Sequence, residues 1–149
     1  MQLSSRSFPS GTGQSARALR AGSLVLAVAL VGCSLFDGTS SSTAETATLD
    51  AVSPSTETGT ATLTDTGSGS TQVAITTSDG TDTGVQSAVV RSGTCGSGGD
   101  VFAILNDVQS DASITTLAYD LSSLTGGKYY IDIHSSTDVN TVVACGDIP

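Results

Sequence analysis

The sequence predicts an all-β domain over residues 57–149 of the 149-residue chain, built as a small antiparallel β-sandwich or flattened barrel. Three observations carry the prediction. Apolar and polar residues alternate with a period of two from Gly59 onward. Clusters of Gly, Asp and Ser punctuate the alternation at short intervals. No stretch of this part shows an apolar stripe at helical spacing. Together these are the marks of short strands with one wet and one buried face.

The elements follow in order. Ala61 and Leu63 alternate with Thr60, Thr62 and Thr64, and Asp65-Thr66-Gly67-Ser68-Gly69 makes a turn. Val73 and Ile75 alternate with Gln72, Ala74 and Thr76, and Asp79-Gly80 marks the next turn. Further strands are expected at Ala88–Arg91, Val101–Leu105, Ile114–Leu121, Tyr129–His134 and Val139–Cys145. Leu121-Ser122-Ser123-Leu124 suits a single helical turn. Threonine dominates the polar positions because its β-branched side chain fits a pleated surface and its hydroxyl suits solvent.

The front of the chain reads differently. Arg6, Arg17 and Arg20 precede an apolar run from Leu24 to Val31, and Leu30-Val31-Gly32-Cys33 closes it. The run is too short to span a bilayer comfortably, which favours a processed export signal over a membrane helix. The pattern resembles a bacterial lipoprotein signal with its lipobox. That resemblance implies a signal peptide over 1–32 and lipidation of Cys33, the mature N-terminus. It places the protein in the bacterial cell envelope, facing the periplasm or the exterior, with the membrane as partner through the acylated Cys33. Each buried methylene of an acyl chain contributes about 0.8 kcal/mol. The alternative is an ordinary secretory signal with an incidental cysteine.

Residues 33–56 are Ser, Thr, Ala and Pro with scattered acids, including the hydroxyl run Ser40–Thr43 and Ser53-Pro54-Ser55. Large apolar residues are too sparse to offset the entropy of ordering, so a flexible tether is expected. From Cys33 onward two basic residues, Arg91 and Lys128, stand against fourteen acidic ones, a formal charge of −12. Such a surface repels nucleic acid. An unidentified envelope protein remains the other class of partner.

With Cys33 assigned to the anchor, Cys95 and Cys145 are left in an oxidising compartment. A disulfide between them is the simplest expectation, and two separate buried thiols are the alternative. A domain this small has a marginal core, which gives the link a structural role.

Several blocks carry a further resemblance. They are Gly59-Thr60-Ala61-Thr62-Leu63-Thr64, Gln86 to Cys95 with its Gly93-Thr94-Cys95, Tyr129 to His134, and Val143-Ala144-Cys145-Gly146-Asp147-Ile148. In combination they resemble a copper/zinc superoxide dismutase-like domain of the reduced kind found in exported bacterial proteins. The resemblance implies a Greek-key β-sandwich with Gly59–Thr64 as its opening strand, and it too joins Cys95 to Cys145. It also implies a His-x-His pair on the strand before Gly93-Thr94-Cys95, and here Val89 and Arg91 hold those positions. Valine cannot ligate a metal, and arginine keeps its proton. Only Gly96-Ser97-Gly98-Gly99-Asp100 stands where a zinc-binding loop is expected.

His134 is the sole histidine of the chain and aligns with a late copper ligand of that family. It is the weak metal candidate, with Asp132 or another carboxylate beside it. The competing reading is a retained polar residue, hydrogen-bonded or exposed. Alternation places His134 with Tyr130 and Asp132 on one face, and Ile131 and Ile133 on the other. Arg91 is expected to pair with an acid, Asp132 being the first choice. The Asp and Gly residues around Asp79-Gly80, Asp107 and Asp111 do not match a known calcium loop. No cofactor, no catalytic residue and no enzymatic activity are expected. The function predicted is structural or interaction-based, with weak copper or zinc capture through His134 as one alternative and an enzyme on a repurposed β-scaffold as another.

Overall fold

The structure, a computed structural model, describes residues 42–78 and 80–149. The signal peptide, Cys33, the first part of the expected tether and Asp79 lie outside the described residues.

Eight antiparallel strands make the domain: β1 Ala44–Ala51, β2 Thr58–Gly67, β3 Ser70–Ser78, β4 Ala88–Ser92, β5 Val101–Ile104, β6 Ala112–Leu117, β7 Tyr129–His134 and β8 Val142–Asp147. One helical turn, α1, covers Leu121–Leu124 between β6 and β7. The strand order is β5-β4-β7-β8-β1-β2-β3-β6. β3 and β6 are neighbours although β4 and β5 separate them in sequence, and β4 and β7 are neighbours across β5 and β6. Such crossings belong to Greek-key folds.

β1 is the hinge of the architecture. Ala44 to Leu49 pair with β2, and Asp50 and Ala51 then pair with Cys145 and Ala144 of β8. A strand that changes partners in this way turns the corner between two sheet halves. Gly146 permits the approach, since a Cβ there would sit 2.0 Å from the Thr48 carbonyl oxygen. At the opposite side, the edges β5 and β6 are linked by the segment after β5. Asn106 N donates to Thr115 Oγ1 (2.7 Å), Asn106 Nδ2 donates to the Ile114 carbonyl (2.6 Å), and Ser113 Oγ donates to the Asn106 carbonyl (2.8 Å). The result is a nearly closed barrel or sandwich.

The core follows the alternation. Ala61 and Leu63 of β2, Val73 and Ile75 of β3, Val90 of β4 and Ile131 and Ile133 of β7 all point inward and are buried. Each large side chain so buried contributes roughly 1.5–3 kcal/mol.

Three expectations need correction. The tether over 33–56 does not hold for residues 44–51, which form β1 with Ala47 and Leu49 fully buried in the core. Only these two apolar residues mark the strand, interleaved with Thr46, Thr48 and Asp50, and a sparse pattern of that kind reads as low-complexity sequence. Gly59–Thr64 therefore lies in the second strand and not the opening one. The last strand begins at Val142, not Val139, because the Asp138 carboxylate accepts hydrogen bonds from Asn140 N and Thr141 Oγ1 and holds a turn there.

Candidate functional site

Cross-strand register assembles the site. In antiparallel pairs, directly opposed residues share a face. Val89 on β4 and Cys145 on β8 both oppose Asp132 on β7, while Arg91 and Asp147 both oppose Tyr130. These residues lie on the face turned away from Val90, Ile131, Ile133 and Ala144. His134, two residues beyond Asp132, joins them, as the alternation predicted.

This outer face is partly covered: Tyr130, Asp132, His134 and Cys145 are buried, Val89 and Arg91 are half-buried, and Asp147 is exposed. The segment 93–100 covers it from one side and the turn 135–141 from the other. The Cys95–Cys145 disulfide pins the first of these, with the Cα atoms 5.8 Å apart. The Cys95 N–H also donates to Asp147 Oδ1 at 2.6 Å. Gly99 is gripped twice: its N–H donates to the Tyr130 hydroxyl (3.2 Å), and its carbonyl accepts from Arg91 Nη1 (3.0 Å). Only glycine fits, because a Cβ at this position would lie 1.7 Å from the Ser92 carbonyl oxygen.

Beneath the cover sits the charged pair that the sequence suggested. Arg91 Nε lies 3.0 Å from Asp132 Oδ2. Asp132 is buried, and burial raises its pKa above the usual 3.8, opposed by the charges of His134 and Arg91. The His134 side chain is buried as well, and its Nδ1 has no hydrogen-bond partner among the described residues. A cavity of about 420 Å³ opens beside these groups, walled by Val52, Val139 and Val142 and by the disulfide.

These residues do not fit a copper or zinc ion of the kind that the sequence resemblance implies. Val89 offers no donor, Arg91 brings a fixed positive charge against Asp132, and His134 is the single imidazole. Among the described residues no group of three His, Cys, Asp or Glu side chains is placed to hold a metal ion. Cys33, the expected lipidation site, lies outside the described residues, and no described helix is long and apolar enough to cross a membrane. Comparison of the chain with protein-family models, curated proteins and solved structures gives no match.

A second buried acid was not foreseen. Glu57, at the entry to β2, is buried against Gln86, whose Nε2 donates to Glu57 Oε2 at 2.7 Å. Its Oε1 has no partner among the described residues. Burial raises the Glu57 pKa above 4.5, the Gln86 hydrogen bond opposes this, and Asp82 and Asp111 add to the rise. Its neighbour Asp82 behaves in the opposite way. The hydroxyl and backbone N–H of Ser136 donate to it, with Gly84 N and Ser135 Oγ in addition, and its pKa falls to about 2. Sequence offered no signal for Glu57, since only the tertiary register brings Gln86 to it.

Proposed function

We propose that the chain is a lipid-anchored protein of the bacterial cell envelope. Its β-domain is a superoxide dismutase-like scaffold that has exchanged its metal centre for an ion pair and serves a non-enzymatic, structural or binding role. The observation that carries the reading is the Arg91–Asp132 pair, 3.0 Å apart, under the disulfide-pinned cover. It stands where the sequence resemblance would put the copper ligands. The eight-stranded antiparallel barrel with one disulfide is consistent with that scaffold, since the sandwich architecture is shared by dismutases and many cell-surface domains. Architecture alone does not fix function, and the support comes from the residues of the site. The lipid anchor is supported by Arg6, Arg17, Arg20 and the Leu30-Val31-Gly32-Cys33 sequence.

Three measurements test the proposal. Metal content is determined on the domain from Ser34 to Pro149, folded oxidatively with copper and zinc and then dialysed, and superoxide disproportionation is assayed on the same sample. Metal-free, inactive protein with an intact fold is the expected result. Near-stoichiometric metal that His134→Ala abolishes would replace this reading with metal capture. For the anchor, full-length protein expressed with a labelled fatty acid is expected to carry label that Cys33→Ser removes. Unlabelled, released protein would refute the anchor.

A further inference from the structure

The cavity beside the ion pair has a chemical bias beyond its role as a former metal position. Its polar floor is rich in hydrogen-bond donors. Arg91 sets Nε 3.0 Å from Asp132 Oδ2 as an ion-pair contact outside hydrogen-bond geometry and gives Nη1 to the Gly99 carbonyl, and the side chain stays 26% exposed, so the guanidinium has further N–H groups to give. The Tyr130 hydroxyl accepts from Gly99 N, which leaves its own proton to give. His134 is 5% exposed, and its buried Nδ1 lacks a partner. A buried lone pair without a partner costs less than a buried N–H without one. In the neutral ring the proton therefore sits on Nε2, and the charged ring carries one there as well, so Nε2 donates in either state. The acceptor on this floor, the Asp132 carboxylate, is already engaged by Arg91. The walls contributed by Val52, Val139 and Val142 are apolar.

We infer that this cavity is a binding site for a small carboxylate carried on a short apolar stem. The carboxylate would accept hydrogen bonds from the further N–H groups of Arg91 and from His134 Nε2, and the stem would lie along the three valines. Charged acceptors bind guanidinium and N–H donors more strongly than neutral ones. The volume of about 420 Å³ lies in the lower part of the range of small-molecule pockets. A strongly acidic domain would otherwise turn anions away, so the selectivity resides in these donors. The inference goes beyond the proposed function and does not depend on the lipid anchor.

The test uses the metal-free oxidised domain and sodium hexanoate as the probe, followed by amide chemical shifts. Saturable shifts centred on Arg91, Gly99, Tyr130 and His134 are expected, with hexanamide binding at least tenfold more weakly. A short valine peptide with a free C-terminus, compared with its amidated form, distinguishes a peptide carboxylate from a free acid. Binding of either carboxylate over its amide supports the site. Val139 is 66% exposed at the rim, so its substitution spares the fold. Val139→Asp is expected to weaken hexanoate several-fold and Val139→Lys to strengthen it. His134→Gln, which keeps a donor, is expected to bind more tightly than His134→Phe. No shifts at 20 mM hexanoate, equal binding of acid and amide, or indifference to the charge at position 139 would each overturn the inference. If bound metal were found first, hexanoate titration before and after its removal would show whether the two readings fail together or apart.

Discussion

Gln86 Nε2 donates to Glu57 Oε2 at 2.7 Å, and both side chains are buried. The pair joins the start of β2 to the segment before β4, and it makes Glu57 a carboxylate held in the wrong solvent. Because its folded pKa is raised above 4.5, its stabilising contribution is complete below that value and is lost as pH rises through the folded pKa. Glu57→Gln, which is neutral at every pH, is therefore expected to lack this component. Melting temperatures measured from pH 4.5 to 8 should show the parent losing stability relative to the variant as pH rises. Parallel curves would refute the prediction.

Asp82 titrates with the opposite sign. Its folded pKa of about 2 lies below the ordinary 3.8, so its contribution is present above 3.8 and lost as pH falls toward 2. Asp82→Asn is expected to lower the melting temperature near neutrality and to flatten the acid limb between pH 4 and 2. Thermal melts across that window check both. The same substitution should loosen the 135–141 turn, read as faster amide exchange at Ser136, whose N–H donates to Asp82 Oδ2.

The Arg91–Asp132 pair is expected to contribute little net stability while being costly to break on one side. Removing Arg91 leaves a buried carboxylate without its partner, whereas removing both charges leaves apolar surface. Arg91→Met is expected to cost roughly 1–3 kcal/mol, and Arg91→Met with Asp132→Leu should regain most of it. Urea unfolding of the parent, both single variants and the double variant decides the matter. Losses that simply add would show that the two residues do not act as a unit.

β1 makes a sharp prediction because it occupies sequence that reads as a tether. Leu49→Ala is expected to cost about 2–5 kcal/mol, the range for a buried leucine. A chain starting at Ser42 should fold, and one starting at Thr56 should not, as judged by circular dichroism and cooperative melting. A folded chain from Thr56 would remove β1 from the core.

How much was legible follows from which residues carry each element. β2, β3 and β7 were readable because pairs such as Leu63 and Ala61, Val73 and Ile75, and Ile131 and Ile133 mark one face at period two. β1 was not, because Ala47 and Leu49 alone mark its inner face among threonines. The β8 boundary was misplaced because Asp138 builds a turn with its side chain, which a hydropathy pattern does not register. Within the site, Tyr130, Asp132 and His134 were placed on one face by alternation alone, and the pairing of Arg91 with Asp132 followed from charge together with the position where the sequence resemblance puts a metal. The double hold on Gly99 and the Glu57–Gln86 contact were hidden, since both depend on which strands become neighbours.

The placement of β1 has a mechanical consequence. The folded domain begins on an interior strand, flanked by β2 and β8, and the Thr43 carbonyl is already tied to Asp65 N at 2.9 Å. A force entering the domain at Thr43 therefore meets the β2 ladder over Ala44–Leu49 first and reaches β8 at Asp50 and Ala51 after it. β1 is held by the two halves of the barrel in succession, so the load passes from one half to the other where the strand changes partners.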